Sequence, residues 1–270
     1  MKIAGACFDP LTIATARVLI SAITLGAYCY YKKTIWIPSK KNFITLLIVI
    51  ILGFCYPFAM QPCLVNLYGS GFVGMMLAFL PLLTLTFARV ILKTRITPRQ
   101  FLGIVGGLFF TYILFDASLD LDISPFGFLI AITVPIAYTI SNIYIKRDFS
   151  HSNPIAFTAT CAFIAGVITL PLAVYNFSFQ QPDHIYISMG AIVILGVLMS
   201  GIALALFYHV VQQSGPLTAS LTNYIVPIFA LFWGWVDGEN TSSLQIIGST
   251  GIFVMIYITQ PPTIKQLTDN

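Results

Sequence analysis

The stretch PLTIATARVLISAITLGAYCYY (residues 10–31) decides the fold, because it is an apolar run that ends at Lys32-Lys33 and contains a single charge, Arg17. A helix needs about 20 apolar residues to cross the hydrocarbon core of a bilayer. The start of the run, DPLTIATAR (9–17), is echoed by NPIAFTATC (153–161), in which Pro154 matches Pro10 at an offset of 144. The stretch therefore predicts a membrane helix that recurs later in the chain.

The composition agrees with a membrane protein. The chain has 270 residues, of which 58% are hydrophobic and only 8% are charged, whereas soluble domains carry about 25% charged residues. The net charge of +4 is spread over several connections, so nucleic acid is excluded as a partner and the lipid bilayer is the expected one. The cysteines lack the spacing of metal ligands, and we predict no metal and no cofactor.

Apolar runs of this kind predict an all-α integral membrane protein with nine transmembrane helices. Their connections are short and leave no room for a soluble domain. The predicted spans lie near residues 10–31, 43–65, 71–92, 99–115, 125–145, 154–175, 187–211, 216–236 and 244–260.

The charges of the connections alternate with the predicted spans. One side carries Lys32, Lys33, Lys40, Lys41, Lys93, Arg95, Arg99, Lys146, Arg147 and Lys265. The other side carries Asp9, Asp116, Asp120, Asp122, Asp183, Asp237 and Glu239. Because cytoplasmic loops are rich in Lys and Arg, the pattern predicts a multi-pass protein with a cytoplasmic C-terminus, in the plasma (inner) membrane if the source is bacterial.

A second pair of stretches extends the internal repeat. FLPLLTLTFARVILKTRITPRQFLG (79–103) resembles IVPIFALFWGWVDGENTSSLQIIG (225–248), and Pro81 matches Pro227. Five helices separate the matching positions, so the two copies have opposite orientations in the membrane. We predict a first repeat at 1–116 with four spans, a second at 117–264 with five, and a short cytoplasmic tail at 265–270. Inverted repeats of this kind are typical of secondary transporters.

Three stretches carry a resemblance to a known family. PLTIATAR (10–17), LPLLTLTFARVIL with RITPRQFLG (80–103), and GPLTASLTNYIVPIFALFWGWVDGE with LQIIG (215–248) resemble the EamA-type members of the drug/metabolite transporter superfamily. The resemblance implies ten spans in two inverted five-helix halves around a central cavity that moves small organic solutes.

The chain departs from the family pattern at two places. The first of the ten spans is absent, so we expect a 4 + 5 arrangement in which one span is missing before Pro10. In addition, Lys93-Thr94 stands where the second repeat keeps Gly238-Glu239.

Polar and aromatic side chains near the in-span prolines are the candidates for a solute-binding cavity. Amides and phenols hold a polar solute without the cost of a buried charge, although hydrogen bonding between helices is an alternative role for them. Asn223 is the strongest candidate because it lies about one turn before Pro227. The candidates are Tyr56, Gln61, Tyr138, Asn142, Tyr208, Asn223 and Tyr224.

Four further residues are candidates for gating or anchoring. Arg17 is either an anchor for an anionic group, a gating partner, or a structural arginine that pairs with helix-end carbonyls or reaches the outer interface. His209 is the only histidine in a predicted span and is either titratable or structural. Pro81 and Pro227 predict matching helix bends beside the pathway.

Together these patterns predict a secondary transporter of small organic solutes. We expect an exporter or exchanger of metabolites such as amino acids or nucleosides, working by alternating access. All nine acidic residues lie outside the predicted spans, so no intramembrane carboxylate is available as a proton relay.

Other classes stay open at this point. One is a shortened membrane protein that does not transport. A membrane-embedded enzyme is disfavoured, because the chain has no G-x-S-x-G or H-E-x-x-H motif. The glycines at 103, 106, 107, 248 and 251 predict close helix packing, with a homodimer seam as the alternative.

Overall fold

The computed structural model describes residues 2–5, 7–116, 125–177, 185–226, 228–229 and 243–259, and these residues are largely helical. This confirms the predicted all-α class. The helices are α1 (Lys2–Gly5), α2 (Pro10–Lys32), α3 (Phe43–Ile50), α4 (Tyr56–Leu77), α5 (Leu80–Ile91), α6 (Pro98–Asp116), α7 (Pro125–Asp148), α8 (Pro154–Tyr175), α9 (Ile185–Ile194), α10 (Leu204–Ser214), α11 (Pro216–Ser220) and α12 (Ser243–Thr259).

Five helical runs are long and apolar enough to cross a membrane: Pro10–Lys32, Lys40–Tyr68, Pro125–Asp148, Pro154–Tyr175 and Ile185–Ser214. Shorter apolar helices cover Leu80–Ile91 and Ile246–Thr259. The protein is therefore a multi-pass membrane protein, while the number of nine spans stays a prediction.

The repeat is visible in how α2 and α8 begin. The Asp9 carboxylate accepts hydrogen bonds of 3.0 Å from the backbone N–H groups of Leu11 and Thr12. The Asn153 side chain accepts equivalent bonds of 3.1 Å from Ile155 and Ala156. In each helix a proline occupies the first position, where its missing N–H costs nothing. The matching sequences thus build matching helix starts.

These two matching helices pack against each other in opposite directions. Leu19 of α2 lies against Gly166 of α8. Further along α2, Leu25 and Cys29 pack with Ala156 near the start of α8. Because the later residues of α2 meet the earlier residues of α8, the helices are antiparallel. This is the orientation that an inverted repeat requires.

A second antiparallel contact joins the matching helices α6 and α12 through their glycines. An added Cβ at Gly106 would lie 2.4 Å from the Met255 sulfur, and one at Gly251 would lie 2.2 Å from the Phe110 ring. The two contacts correspond to each other, since Gly106 matches Gly251 and Phe110 matches Met255 at an offset of 145. These glycines therefore serve close packing within one chain, as the first of the two alternatives predicts.

The helical run α4 (Tyr56–Leu77) contacts α7 near both of its ends. Tyr56 hydrogen-bonds to Thr133, and the Phe79 ring lies 6.3 Å from the Phe128 ring. A straight helix would separate residues 56 and 79 by about 34 Å, whereas residues 128 and 133 are about 7.5 Å apart on α7. The run α4 is therefore bent rather than straight along its length, and the boundary between the spans at 43–65 and 71–92 stays a prediction.

Wide π-helical turns occur at matching positions of the two repeats. They cover Ile51–Cys55, called π1 here, and Leu195–Ala203, called π2. The Ser141 hydroxyl donates to the Val49 carbonyl beside π1 (3.2 Å), and the Ser21 hydroxyl donates to the Ser200 carbonyl within π2 (2.8 Å). A π turn interrupts the regular helical hydrogen bonds, and neighbouring helices supply replacements here.

The basic connections gather at one end of the helix bundle. Lys146 donates to the carbonyls of Gln212 (2.6 Å) and Gln213 (3.1 Å), at the end of α10. Arg147 donates to Asp148 (2.8 Å). The Trp36 ring packs on Phe149 at 5.9 Å and so places the 32–42 connection at the same end. Lys265 and the acidic residues at 120, 122, 183, 237 and 239 lie outside the described residues.

Substitution of Gly251 by alanine is expected to lower the stability of the folded protein by about 1–3 kcal/mol, because the new methyl overpacks the contact with Phe110. The matched control is Gly190→Ala in α9, where an added Cβ meets nothing within 4 Å. Thermal unfolding in detergent micelles compares the two. Equal midpoints for both variants would contradict the α6–α12 contact.

Candidate functional site

A cavity of about 170 Å³ lies between the two repeats, roughly the bulk volume of six water molecules at about 30 Å³ each. It is smaller than the pockets of drug-sized ligands, which measure about 300–1,000 Å³. Five of the seven residues predicted to form a cavity line it. Its lining consists of Gln61, Leu77, Leu80, Tyr138, Asn142, Leu204, Phe207, Tyr208 and Asn223.

The cavity lies where the backbone of each repeat leaves regular α-helix. The helical run of the first repeat is interrupted at Ala78 and Phe79, just before Pro81. The second repeat has a 3₁₀ segment at Leu221–Tyr224, just before the matching proline, Pro227. At this offset of 146, Leu77 and Asn223 are equivalent positions, and both line the cavity.

Of the two matching prolines, Pro81 and Pro227, the structure describes only Pro81. Pro81 occupies the second position of α5, so it begins a helix after the interruption and does not bend a continuous one. This corrects the form of the predicted bend, because a proline at a helix start loses no hydrogen bond. Pro227 lies outside the described residues.

Polar groups from three helices converge on the cavity. Tyr138 and Asn142 lie one turn apart on α7, and Asn142 is 2% exposed. The Gln61 side chain of α4 interacts with the Tyr138 hydroxyl. The Tyr208 ring from α10 is buried, and its hydroxyl lies near Gly53 and the Ser141 hydroxyl. The wall is mostly apolar with a few polar groups, as in small-molecule sites.

Three predicted residues lie elsewhere. The Tyr56 hydroxyl is bonded to Thr133 on α7 and does not line the cavity. The Tyr224 hydroxyl donates to the Ile104 carbonyl (2.7 Å), and its ring packs against Gly107. His209 is exposed, whereas its neighbour Tyr208 is buried. Tyr56 and Tyr224 thus make the interhelical bonds that were the alternative to a cavity role.

Arg17 lies inside the bundle and does not reach outward. The residue is 5% exposed, its Nε donates to the Ser200 hydroxyl (2.7 Å), and its guanidinium lies 4.3 Å from the centre of the Phe58 ring. Ser200 belongs to π2, halfway along the run Ile185–Ser214. The guanidinium is therefore buried within the helix bundle, and the role of Arg17 as an anchor, a gating partner or a structural arginine stays a prediction.

Several site features were missed by the sequence reasoning. Leu77, Leu80, Leu204 and Phe207 form the apolar part of the wall. Their sequence pattern does not distinguish them from apolar residues that pack in the protein core. The π turns had one signal, Pro57, whose ring conflicts with the carbonyl four residues earlier and so favours a widened turn in π1. In π2 the signal was Gly196, where a Cβ would lie 2.7 Å from Ile20.

Two grooves flank the α2–α8 pair at positions related by the repeat. One, of about 300 Å³, is lined by Thr12, Thr15, Ala16, Leu19, Leu170, Ala173, Val174 and Phe177. The other, of about 310 Å³, is lined by Ala22, Gly26, Cys29, Tyr30, Ile35, Trp36, Ala156, Ala159, Thr160 and Phe163. Seven positions of the first correspond to positions of the second at the offset of 144, so the inverted symmetry extends to the surface.

Within the described ranges, no three His, Cys, Asp or Glu side chains come close enough together to hold a metal ion.

Antiparallel repeats around a central cavity define the class of membrane transporters. The profile of the EamA-like transporter family matches residues 1–115 and again 125–259, and the chain belongs to this family. The match places the chain among transporters and not among enzymes.

A curated protein and a solved structure are also similar to the chain. The chain is 23% identical over 257 residues to the uncharacterized transporter YoaV of Bacillus subtilis (strain 168), which covers 92% of this chain and 85% of that protein. A solved crystal structure superposes with a TM-score of 0.77 at 16% identity and covers 96% of this chain and 91% of its own, which shows the shared fold.

A cysteine placed at residue 223 is expected to react with a small hydrophilic methanethiosulfonate at least tenfold faster than one placed at residue 224. Asn223 lines the cavity, whereas Tyr224 is 0% exposed, and thiols react as hydrated thiolates. The assay uses a background in which Cys7, Cys29, Cys55, Cys63 and Cys161 are replaced by alanine. Similar rates for Asn223→Cys and Tyr224→Cys would mean that water does not enter the cavity.

Proposed function

We propose that the protein is a secondary transporter that moves small organic metabolites through the central cavity by alternating access. The observation that carries this proposal is the cavity itself, because both repeats contribute to its wall at the places where their helices are interrupted. Irregular backbone at membrane depth is tolerated where it lines a cavity or is buried in protein. Interrupted helices at a repeat interface are typical of transporter binding sites.

The π turns support a mechanism with two matching moving parts. A carbonyl just before π1 is bonded to Ser141, and a carbonyl within π2 is bonded to Ser21, each serine coming from a neighbouring helix. A bond between helices of this kind is made or lost without breaking the helix that carries it. Opening towards one side would lengthen the bond at one π turn, and opening towards the other side would lengthen the bond at the other.

The size of the cavity favours metabolites over large drugs. Its volume of about 170 Å³ suits solutes such as amino acids, and nucleosides would need a wider cavity. Because no acid lies in the predicted spans, export or exchange along a solute gradient is the favoured mode. Tyr138, Asn142, Tyr208, Gln61 and Asn223 would contact the solute.

The proposed orientation places the basic end of the bundle in the cytoplasm. Lys32, Lys146 and Arg147 lie at that end, and the positive-inside rule then gives a cytoplasmic C-terminus. For a bacterial source the membrane is the inner membrane. The repeats would comprise residues 1–116 and 117–264, with 265–270 as a tail. A homodimer would need a surface other than the glycines at 106 and 251, which pack within the chain.

Substitution of Asn142 by leucine is expected to reduce solute flux at least tenfold, because it replaces a buried amide of the cavity wall by an apolar side chain. The matched control is Asn66→Leu, an exposed amide of α4 that is expected to keep flux within twofold of wild type. An untargeted comparison of metabolites inside and outside cells with and without the gene identifies the solutes. Flux of those solutes is then measured in proteoliposomes.

The alternative is a shortened membrane protein that does not transport. If no solute distribution changes in cells that contain the protein in their membranes, the transporter proposal fails. Equal flux through Asn142→Leu and wild type would locate the pathway outside this cavity.

A further inference from the structure

Arg17 has a hydrogen-bonding group that nothing in the described part of the chain satisfies. Its Nε is bonded to Ser200 and its face lies on Phe58, but its Nη1 is buried and has no hydrogen-bond partner. Guanidinium groups present donors in a planar fork that fits two oxygen atoms. An unused, buried donor at one edge of the fork is costly unless a partner arrives.

The positive charge of Arg17 is also uncompensated within the described residues. Asp9, two turns earlier on α2, is bonded to the helix start and to the Thr12 hydroxyl. Asp148 pairs with Arg147 at the basic end of the bundle. Ser200 and Phe58 are neutral, so their contacts with the guanidinium stabilise it only in part. A buried cation with neutral neighbours attracts an anion.

Arg17 lies behind the wall of the central cavity and is not itself a lining residue. Its guanidinium lies on the Phe58 ring, and Phe58 packs in one core cluster with Tyr138 and Tyr208, which line the cavity. The hydroxyl of Tyr208, which also lines the cavity, lies near Gly53 and the Ser141 hydroxyl. A phenol donates a hydrogen bond to an anionic oxygen, so the tyrosines of the wall and the Nη1 offer donors to the same kind of ligand.

The second repeat does not duplicate this charge. The position equivalent to Arg17 is Cys161, which is buried and uncharged. Of the two equivalent positions, only Arg17 is positively charged. Its single charge matches a carboxylate better than a phosphate ester, which carries about −1.5 to −2 at neutral pH. Arginine pairs with carboxylates in a geometry of two parallel hydrogen bonds.

We propose that the solutes of this protein carry a carboxylate group and that Arg17 binds it, with Tyr138 and Tyr208 on the cavity side. This inference rests on the proposed transport function and narrows it. Amino acids and other small carboxylic acids fit, whereas nucleosides do not. Because Arg17 is bonded to Ser200 in π2, the bound carboxylate would also fix the position of that turn.

The first test compares three variants in the metabolite assay. Arg17→Gln is expected to lose at least nine-tenths of the solute redistribution that wild type produces, and Arg17→Lys is expected to keep part of it. Arg89→Gln, which removes an exposed arginine from α5, is expected to keep at least half. The redistributed solutes are expected to carry a free carboxylate. Uncharged or phosphate-only solutes, or wild-type redistribution by Arg17→Gln, would overturn the inference.

A second test needs no variant that risks misfolding. The wild-type protein in nanodiscs is unfolded by heat with propionate or with propionamide, its uncharged isostere, at equal ionic strength. Propionate is expected to raise the midpoint by several degrees more than propionamide, since a ligand that binds the folded state stabilises it. Equal midpoints would overturn the inference. If no solute is redistributed at all, the transport proposal itself fails, whereas redistribution without dependence on Arg17 defeats only the carboxylate assignment.

Discussion

The packing of helices against their own counterparts is the constraint on which the rest of this structure depends. α2 lies antiparallel to α8, and α6 lies antiparallel to α12. In lipid no hydrophobic force draws such helices together, so close van der Waals contact must do so. Gly106 and Gly251 permit that approach, and Gly166 does the same beside Leu19. With these pairs fixed, the remaining helices enclose a space between the repeats, and the cavity occupies it.

The wall of that cavity shows how a membrane protein keeps polar groups at depth. Tyr138, Asn142 and Gln61 face one another, so each polar group has others within reach. The backbone follows the same rule, since Ser141 and Ser21 satisfy carbonyls beside the π turns. Irregular backbone is thus confined to protein-facing positions, as a bilayer requires.

Much of the fold could be predicted because prolines and helix-capping residues identify the repeat in the sequence. Prolines and helix caps act locally, so Asp9-Pro10 and Asn153-Pro154 identify matching helix starts without knowledge of the rest. The five amide and phenol residues of the cavity could be predicted because polar groups in apolar spans are few. Tyr224 could not be assigned, because its partner is a backbone carbonyl 120 residues away and backbone partners leave no pattern in sequence.

The equivalence of Leu77 and Asn223 has a consequence for energetics. Two inverted repeats with identical residues would present the same wall to a solute from either face of the membrane, and the two access states would be isoenergetic. Here an apolar side chain and an amide occupy equivalent places beside the cavity. Under the proposed alternating access, the two states would therefore differ in population and in apparent affinity for a solute. Such asymmetry would make the apparent affinity and the maximal rate differ between the two faces, whereas the direction of net flux would still follow the solute gradient.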